Sequence, residues 1–341
     1  MKAMVLERTA TLDEAPRPLR LIEMDEPTPR DNEVLVRISA CGVCHTELDE
    51  IEGRTPPPRF PIILGHQVVG TIARAGANVM VRKVGERVGV AWIYSTCGKC
   101  KFCRSGNENL CPDFLGTGRD TNGGYAEYMT VREDFCFPIP ETFSDTKAAP
   151  LLCAGAIGYR SLRLSNITSG KSLGLTGFGA SAHLVLKMVK HRYPDVGIFV
   201  FARSEKEQSF ARDLGAVWAG DTTDESPQKL DAIIDTTPAW KPDVEALKNL
   251  EAGGRLVINA IRKTERDKGA LMELYYPSHL WMEKEIKTVA NVTRRDVSEF
   301  LQLAAEMQIK PDVEEFPLGD ANIALNQMNV GHIRGAKVLR T

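Results

Sequence analysis

Four cysteines stand in one short run, Cys97, Cys100, Cys103 and Cys111, with two, two and seven residues between neighbours. No other stretch restricts the chain as tightly. Four thiolates gathered on one Zn²⁺ close a tetrahedral shell with Zn–S distances of about 2.3 Å. The residues between them, Gly98, Lys99, Lys101, Arg104, Ser105, Gly106, Asn107 and Glu108, are small or polar and suit a tight knuckle. A shell closed by four sulfurs leaves no open position for a substrate. The run therefore implies a metal that holds a loop in shape, and chemistry must lie elsewhere. Two other readings compete with it. Disulfides need an oxidising compartment, but the chain opens MKAMVLERTA, without an apolar stretch or a cleavage-like site, so reduced thiols and a cytoplasmic location are expected. An iron–sulfur cluster uses similar spacings, and Cys111-Pro112 matches its habit of a proline after the last cysteine. Structural zinc is the favoured reading.

A chain of 341 residues is long for one hydrophobic core and natural for two domains. Its net charge of -2 presents no broad basic face, which argues against a nucleic-acid partner and against treating the cysteine run as a nucleic-acid-binding ribbon. No apolar run reaches the ~18 residues of a membrane-spanning helix, so no membrane role is expected.

The hydrophobic pattern changes character along the chain. Up to about residue 140 it reads as short strands and turns, with alternation over Glu33–Ile38 and similar segments at Val68–Ala73 and Glu86–Ala91. Beyond Pro150, strands alternate with helices: Ser172–Thr176, a helix Ala182–Arg192, a strand Ile198–Phe201, a helix Glu205–Leu214 closed by Gly215. Further strands Ala232–Asp235 and Arg255–Asn259 flank a helix Val244–Leu250, and the tail reads as a helix Asp296–Met307 and a strand Ala336–Leu339. Strands alternating with helices mean a parallel sheet with crossovers, hence an α/β fold.

Inside that region Gly177-Phe178-Gly179-Ala180-Ser181-Ala182 follows a strand and opens a helix, a G-x-G-x-x-A turn. The first glycine permits the turn, the second lets backbone approach a pyrophosphate, and the last small residue lets helix and strand pack. The end of the next strand reads the adenine ribose. An acid there would bond a free 2′-hydroxyl, but this chain has Ala202-Arg203-Ser204. Arg203 can pair with a 2′-phosphate and Ser204 can donate to one, so NADP is expected in preference to NAD.

Of the remaining four cysteines, Cys44 lies in Cys41-Gly42-Val43-Cys44-His45-Thr46-Glu47, and Cys153 follows Leu151-Leu152. With His66, they offer two thiolates and one imidazole, which with water make a catalytic zinc site with an open position. Spacing alone does not establish that set, since a lone histidine is usually structural and a free cysteine usually core.

The motifs CGVCHTEL (41–48), GHQVVG (65–70), the cysteine run, LLCAG (151–155) and GFGASA (177–182) together resemble the medium-chain zinc alcohol dehydrogenases, over essentially the whole chain. The resemblance implies a GroES-like β-barrel catalytic domain over 1–154 with its structural zinc loop at 95–113, a Rossmann cofactor domain over 155–290, and a segment 291–341 that completes the first. It implies two zinc ions per chain, with Cys44, His66 and Cys153 on the catalytic one, and leaves Cys41 and Cys136 as buried thiols. Thr46 matches the hydroxyl that bonds the substrate oxygen and starts a proton relay, and Asp49 occupies a relay position often held by histidine. Glu47 matches the acid that orients the zinc histidine, and His45 a basic residue near the pyrophosphate. Gln67 departs from the family, which usually has a glutamate close to zinc there. Trp92 and Ile51 match positions lining the alcohol pocket, and Ile51 would leave more room than an aromatic side chain.

The implied reaction is reversible hydride transfer between a primary or small secondary alcohol, or its aldehyde or ketone, and NAD(P). A polyol or sugar dehydrogenase of the same fold, or a non-catalytic zinc and nucleotide binder, are the alternatives. By analogy the protein is expected to be a homodimer or homotetramer.

Overall fold

The computed structural model describes residues 1–331 and 335–341. The chain divides into two compact units, Met1–Cys153 with Val292–Thr341, and Ala154–Asn291.

The first unit is built on β-sheet. Strand Glu33–Gly42 is its centre, paired antiparallel with Val68–Ala75, Tyr128–Arg132 and the tail strand Ala336–Arg340. Tail and centre meet in the register Val338↔Gly42 and Leu339↔Cys41, so the last strand of the chain is stitched beside the first cysteine motif. Val34, Leu35, Val36, Ala40 and Cys41 are all fully buried, and the register shifts twice along the pairing with Val68–Ala75, between Leu35 and Val36 and between Ile38 and Ala40. Such irregularities bend a strand and re-aim its side chains. Sequence periodicity reads this part as strands and turns, yet a helix, His45–Ile51, follows the central strand directly. Seven residues are too few to show a 3.6-residue period.

The second unit holds a six-stranded parallel sheet. Its spatial order is Trp218–Gly220, Gly197–Phe201, Ser172–Thr176, Leu230–Asp235, Leu250–Ile258, Glu285–Thr288. Within this unit the first and fourth strands are neighbours, the point where the winding reverses and where such sheets receive ligands beyond the carboxyl ends of their strands. Ser172–Thr176 is buried at every position, as a central parallel strand covered on both faces must be. Two differences from the sequence pattern stand out. The helix expected over Val244–Leu250 runs Lys241–Asn249, because Leu250 turns extended and begins the next strand. Asn249 marks the break: its side chain accepts from Ser226 N and donates to Asp224 O instead of pointing to solvent. The outer strands Trp218–Gly220 and Glu285–Thr288 carry no apolar alternation and are seen only through their pairing.

Candidate active site

The four-cysteine run closes on itself. Cys97 leaves the strand Ile93–Ser95, and Cys100 precedes a one-turn helix, Lys101–Arg104. Backbone amides point at the sulfurs: Cys100 N donates to Cys97 Sγ at 3.4 Å, Cys103 N to Cys100 Sγ at 3.5 Å, and Cys97 N to Cys111 Sγ at 3.4 Å. Gly98 sits at φ 72°, a conformation a side chain would strain, which lets the knuckle turn its amides inward. The thiols are separated by 3.5 Å (Cys100–Cys103 and Cys97–Cys111) and 3.9 Å (Cys97–Cys103). A tetrahedron with bonds of about 2.3 Å has edges of about 3.8 Å, so the group fits a single ion. These spacings are far too long for disulfides, and all eight cysteines are free. Thiolates on separate irons of a cluster would stand farther apart, so the spacing favours zinc. Amides of Lys99 and Cys100 hold the Cys97 thiol down to about 6, whereas burial pushes Cys111 up to about 12. The loop is anchored by Arg294, whose N and Nε donate to buried Glu108 at 3.0 and 3.2 Å, and whose Nη1 donates to Asp134 at 3.0 Å.

A second cluster assembles from three distant points. Cys44 ends the turn after the central strand, His66 follows Gly65, and Cys153 follows the short turn Ala149–Leu152. Their ligand atoms all lie within 4.8 Å of one another. Cys44 and Cys153 sulfurs are 3.9 Å apart, again one edge of a tetrahedron. His66 is 2 % exposed, and its Nδ1 stands 2.6 Å from Glu47 Oε1. The other ring nitrogen is thereby directed at the thiols. Burial alone would lower the imidazole's affinity for a proton, but the Glu47 charge and the Cys44 sulfur raise it well above the usual histidine range. Glu47 has a second partner, Cys44 N, which donates to Oε2 at 2.7 Å. One carboxylate thus locks two of the three candidate ligands. The Cys44 thiol is held well below its ordinary range by a hydrogen bond from Cys153, with burial opposing, while Cys153 is pushed up by the same bond and by burial. Two soft sulfurs and one imidazole, converging without a fourth protein donor among the described residues of the group, suit zinc with one open position.

Gly65 shows why this backbone is so specific. It has φ 97°, and a Cβ there would stand 2.4 Å from the Tyr125 ring. Thr46 Oγ1 lies 3.6 Å from Cys44 Sγ, beside the convergent point. Asp49 pairs with Arg54, with Oδ1 2.5 Å from Nε. His45 is exposed, and Gln67 is buried with its amide against Gly42, where a Cβ would meet Oε1 at 2.6 Å. Ile51 is 0 % exposed and packs in the core. Trp92 is half-buried with its ring 5.3 Å from that of Phe114, an aromatic neighbour that the sequence reading missed because nothing in the spacing links the two. Glu50 was also missed: it is 1 % exposed, with both carboxylate oxygens buried and, among the described residues, without a hydrogen-bond partner. Burial, and then the charge of Glu47, raise its carboxyl well above the usual range.

The Gly-rich turn lies at the carboxyl end of the strand Ser172–Thr176. Gly177 has φ 74° and donates its N–H to Phe201 O at 2.8 Å. A Cβ on Gly179 would meet nothing within 4 Å, so the backbone there faces open space, as close approach of a phosphate requires. Ala182 is fully buried at the start of the helix Ala182–Arg192. Ser181 donates to Ala154 O at 3.1 Å, and Phe178 is buried with its ring 5.7 Å from Phe210, so Phe178 and Ala180 serve the turn through their backbone. Arg203 is exposed after the strand Gly197–Phe201, beside buried Ala202. Ser204 caps the helix Glu205–Asp213: it accepts from Glu207 N at 3.2 Å and donates to Glu207 Oε2 at 3.0 Å. Its proton is thus already committed to Glu207.

Residues 30–141 match the family model of the alcohol dehydrogenase GroES-like domain. The chain is 40% identical to a probable alcohol dehydrogenase, AdhA, of Mycobacterium tuberculosis (strain CDC 1551 / Oshkosh), over 99% of this chain and 97% of that one. It is 33% identical to an alcohol dehydrogenase of Geobacillus stearothermophilus, over 98% of both. Among solved structures it is similar to CAD from Helicobacter pylori complexed with NADP(H), with a TM-score of 0.84 at 22% identity, covering 99% of this chain and 97% of that one.

Proposed function

We infer the roles of the site residues from one premise: this chain belongs to the medium-chain zinc alcohol dehydrogenase family, and it is an NAD(P)-dependent oxidoreductase that acts on small-molecule alcohols. Zinc and a nicotinamide nucleotide are its cofactors. We propose that Cys44, His66 and Cys153 hold the catalytic zinc and that Cys97, Cys100, Cys103 and Cys111 hold a second, structural one. The observation that carries this reading is the convergence of two thiols and one oriented imidazole, with a separate closed set of four sulfurs.

Held by Cys44, His66 and Cys153, a zinc ion would supply Lewis-acid polarisation of the alcohol oxygen, and a nicotinamide nucleotide would supply the hydride acceptor. The protein supplies the rest. Glu47 keeps the His66 ring turned toward the thiols, and its second bond keeps Cys44 at the start of its helix. Thr46 Oγ is placed to bond the substrate oxygen and to take its proton. Asp49, the next candidate in that relay, is tied to Arg54, so water beside Thr46 is the more direct exit for the proton. The amide of Gln67 brings no charge to the metal and leaves the site one negative charge less than a glutamate would. Trp92 and Phe114 offer an apolar wall, which supports a primary or small secondary alcohol. Such walls discriminate between homologues by only about 1–3 kcal/mol per methylene. Residues 177–182 receive the pyrophosphate, and exposed Arg203 favours NADP over NAD.

The edge strand Glu285–Thr288, exposed throughout, lies in sequence next to exposed Trp281 and Met282 and itself carries exposed Ile286. An open edge with apolar neighbours is a pairing surface, which supports a homo-oligomer. Initial rates with NADP and NAD over a series of alcohols and polyols, before and after chelation, test the whole reading. Turnover that chelation abolishes and about two zinc ions per chain are expected. One zinc, nucleotide binding and no turnover would replace it with a non-catalytic binder.

A further inference from the structure

Three charged side chains lie together in the parallel-sheet unit, and none of them has a part in the mechanism above. Lys263 Nζ stands 2.6 Å from Asp235 Oδ2 and 2.7 Å from Asp243 Oδ2. The same ammonium donates to the carbonyls of Thr237 at 3.1 Å and Ala239 at 2.9 Å. The Asp235 side chain is 0% exposed, and those of Asp243 and Lys263 are 6% and 8% exposed. Taking charges out of water costs several kcal/mol per ion (about that, after relaxation) unless partners are excellent. Here each partner comes from a different element. Asp235 ends the strand Leu230–Asp235, Asp243 lies in the first turn of the helix Lys241–Asn249, and Lys263 follows the strand Leu250–Ile258.

The segment these groups enclose, 236–240, packs on the Gly-rich turn. Thr236 N and Oγ1 both donate to Thr176 O, at 3.0 and 3.1 Å. A Cβ on Gly177 would stand 2.8 Å from Thr237 Cγ2 and 3.1 Å from Thr236 Oγ1. Thr237 Oγ1 donates to Asp235 Oδ1 at 2.8 Å, and Asp267 Oδ2 accepts from the amides of Trp240 and Lys241 at 2.8 and 2.9 Å. The segment therefore borders the nucleotide turn, and it is held on one side by Thr176 O and on the other by the buried charges and Asp267.

We propose that Lys263 is a positioning residue for the dinucleotide: its triad with Asp235 and Asp243 sets segment 236–240 against Gly177, and the triad's charge makes cofactor affinity depend on pH. The inference rests on the reading of residues 177–182 as the cofactor turn. One ammonium and two carboxylates carry one negative charge too many for a buried place, so the carboxylates hold a proton between them. Burial, then the charge of Asp235, push Asp243 up to about 7, and burial raises Asp235 as well. The charged groups facing the cluster are Asp235 from the strand, Asp243 from the helix, and Lys263 and Asp267 from the segment after the last of the three strands. Below about 7 the triad is neutral and compact. As pH rises through that value the second carboxylate ionises, repels the first, and loosens the segment.

Fluorescence titration of the full-length protein with NADPH and NADH, from about pH 6 to about pH 8.5, tests this. Wild-type affinity is expected to fall about tenfold across the range, a coupling of ordinary size for a group off the site. Asp243→Asn keeps the shape and cannot ionise, so its affinity stays high at alkaline pH and its profile is flat. Lys263→Met weakens binding at every pH while kcat at saturating cofactor changes little, a split that general loss of structure would not produce. If Lys263→Met does not fold, the Asp243→Asn profile decides alone. Parallel profiles for wild type and Asp243→Asn overturn the inference. Wild type without affinity for either nucleotide overturns the cofactor reading instead.

Discussion

Removing the Glu47 carboxylate is the sharpest perturbation of the candidate zinc site. Its side chain is 0 % exposed and serves two of the three candidate ligands, through His66 Nδ1 at 2.6 Å and Cys44 N at 2.7 Å. A hydrogen bond to a charged group contributes about 1.5–3 kcal/mol, and the one to Cys44 N also closes the first turn of a helix, with a contribution of about 1 kcal/mol. Glu47→Gln can still accept one of the two donors, but its amide turns a donor toward the other. Glu47→Ala loses both and frees the His66 ring to rotate. Loss of a partner behind a metal-bound histidine lowers metal affinity about 10–100-fold, or about 1.4–2.8 kcal/mol. We expect about tenfold for Glu47→Gln and the upper end for Glu47→Ala. Competition with a chromophoric chelator reads the affinity, and metal analysis reads which ion leaves. One zinc per chain should be lost with turnover while the four-cysteine zinc is retained. Wild-type zinc affinity and turnover in Glu47→Ala would refute the argument that this carboxylate orients a ligand.

Other outcomes follow from the same geometry. Cys103→Ser opens the four-sulfur shell, so it should release one zinc and lower Tm by about 5–10 °C, with turnover persisting in the cold; calorimetry and metal analysis check both. If the exposed Arg203 pairs with a 2′-phosphate as proposed, Arg203→Ala should raise KM for NADP about tenfold and leave KM for NAD, which lacks that phosphate, unchanged; equal changes for both cofactors would remove the assignment. Gln67→Glu adds a titrating group next to His66 in sequence and should shift the pH profile of kcat. An unchanged profile would mean that the side chain at this position, packed against Gly42, does not sense the metal.

Parts of this protein are legible without coordinates because they are local. The four cysteines lie within one loop, so their spacing alone defines a tetrahedral set. Strand, turn and helix around Gly177 are consecutive, and the mirror of the turn's needs in glycine and alanine can be read residue by residue. The same locality made the parallel sheet visible: buried strands such as Ser172–Thr176, with Leu173 and Leu175, are short and are followed by helices. Signals failed where a residue's state depends on distant neighbours. Helix His45–Ile51 is too short for its period to register, and Leu250 looks helical until its pairing with Leu230 is seen. The outermost strands have no pattern of their own.

Only the tertiary structure brought Cys44, His66 and Cys153 within reach of one another, gave the distance from Glu47 to the imidazole, and paired Asp49 with Arg54. It also fixed the burial of Ile51 and put Phe114 against Trp92. The triad of Asp235, Asp243 and Lys263 shows the division most clearly. Each is an ordinary charged residue in the sequence, and nothing in its neighbours marks it. Burial at the ends of separate elements gives them one shared field, and a Coulomb interaction depends on distance through the fold, not on separation along the chain.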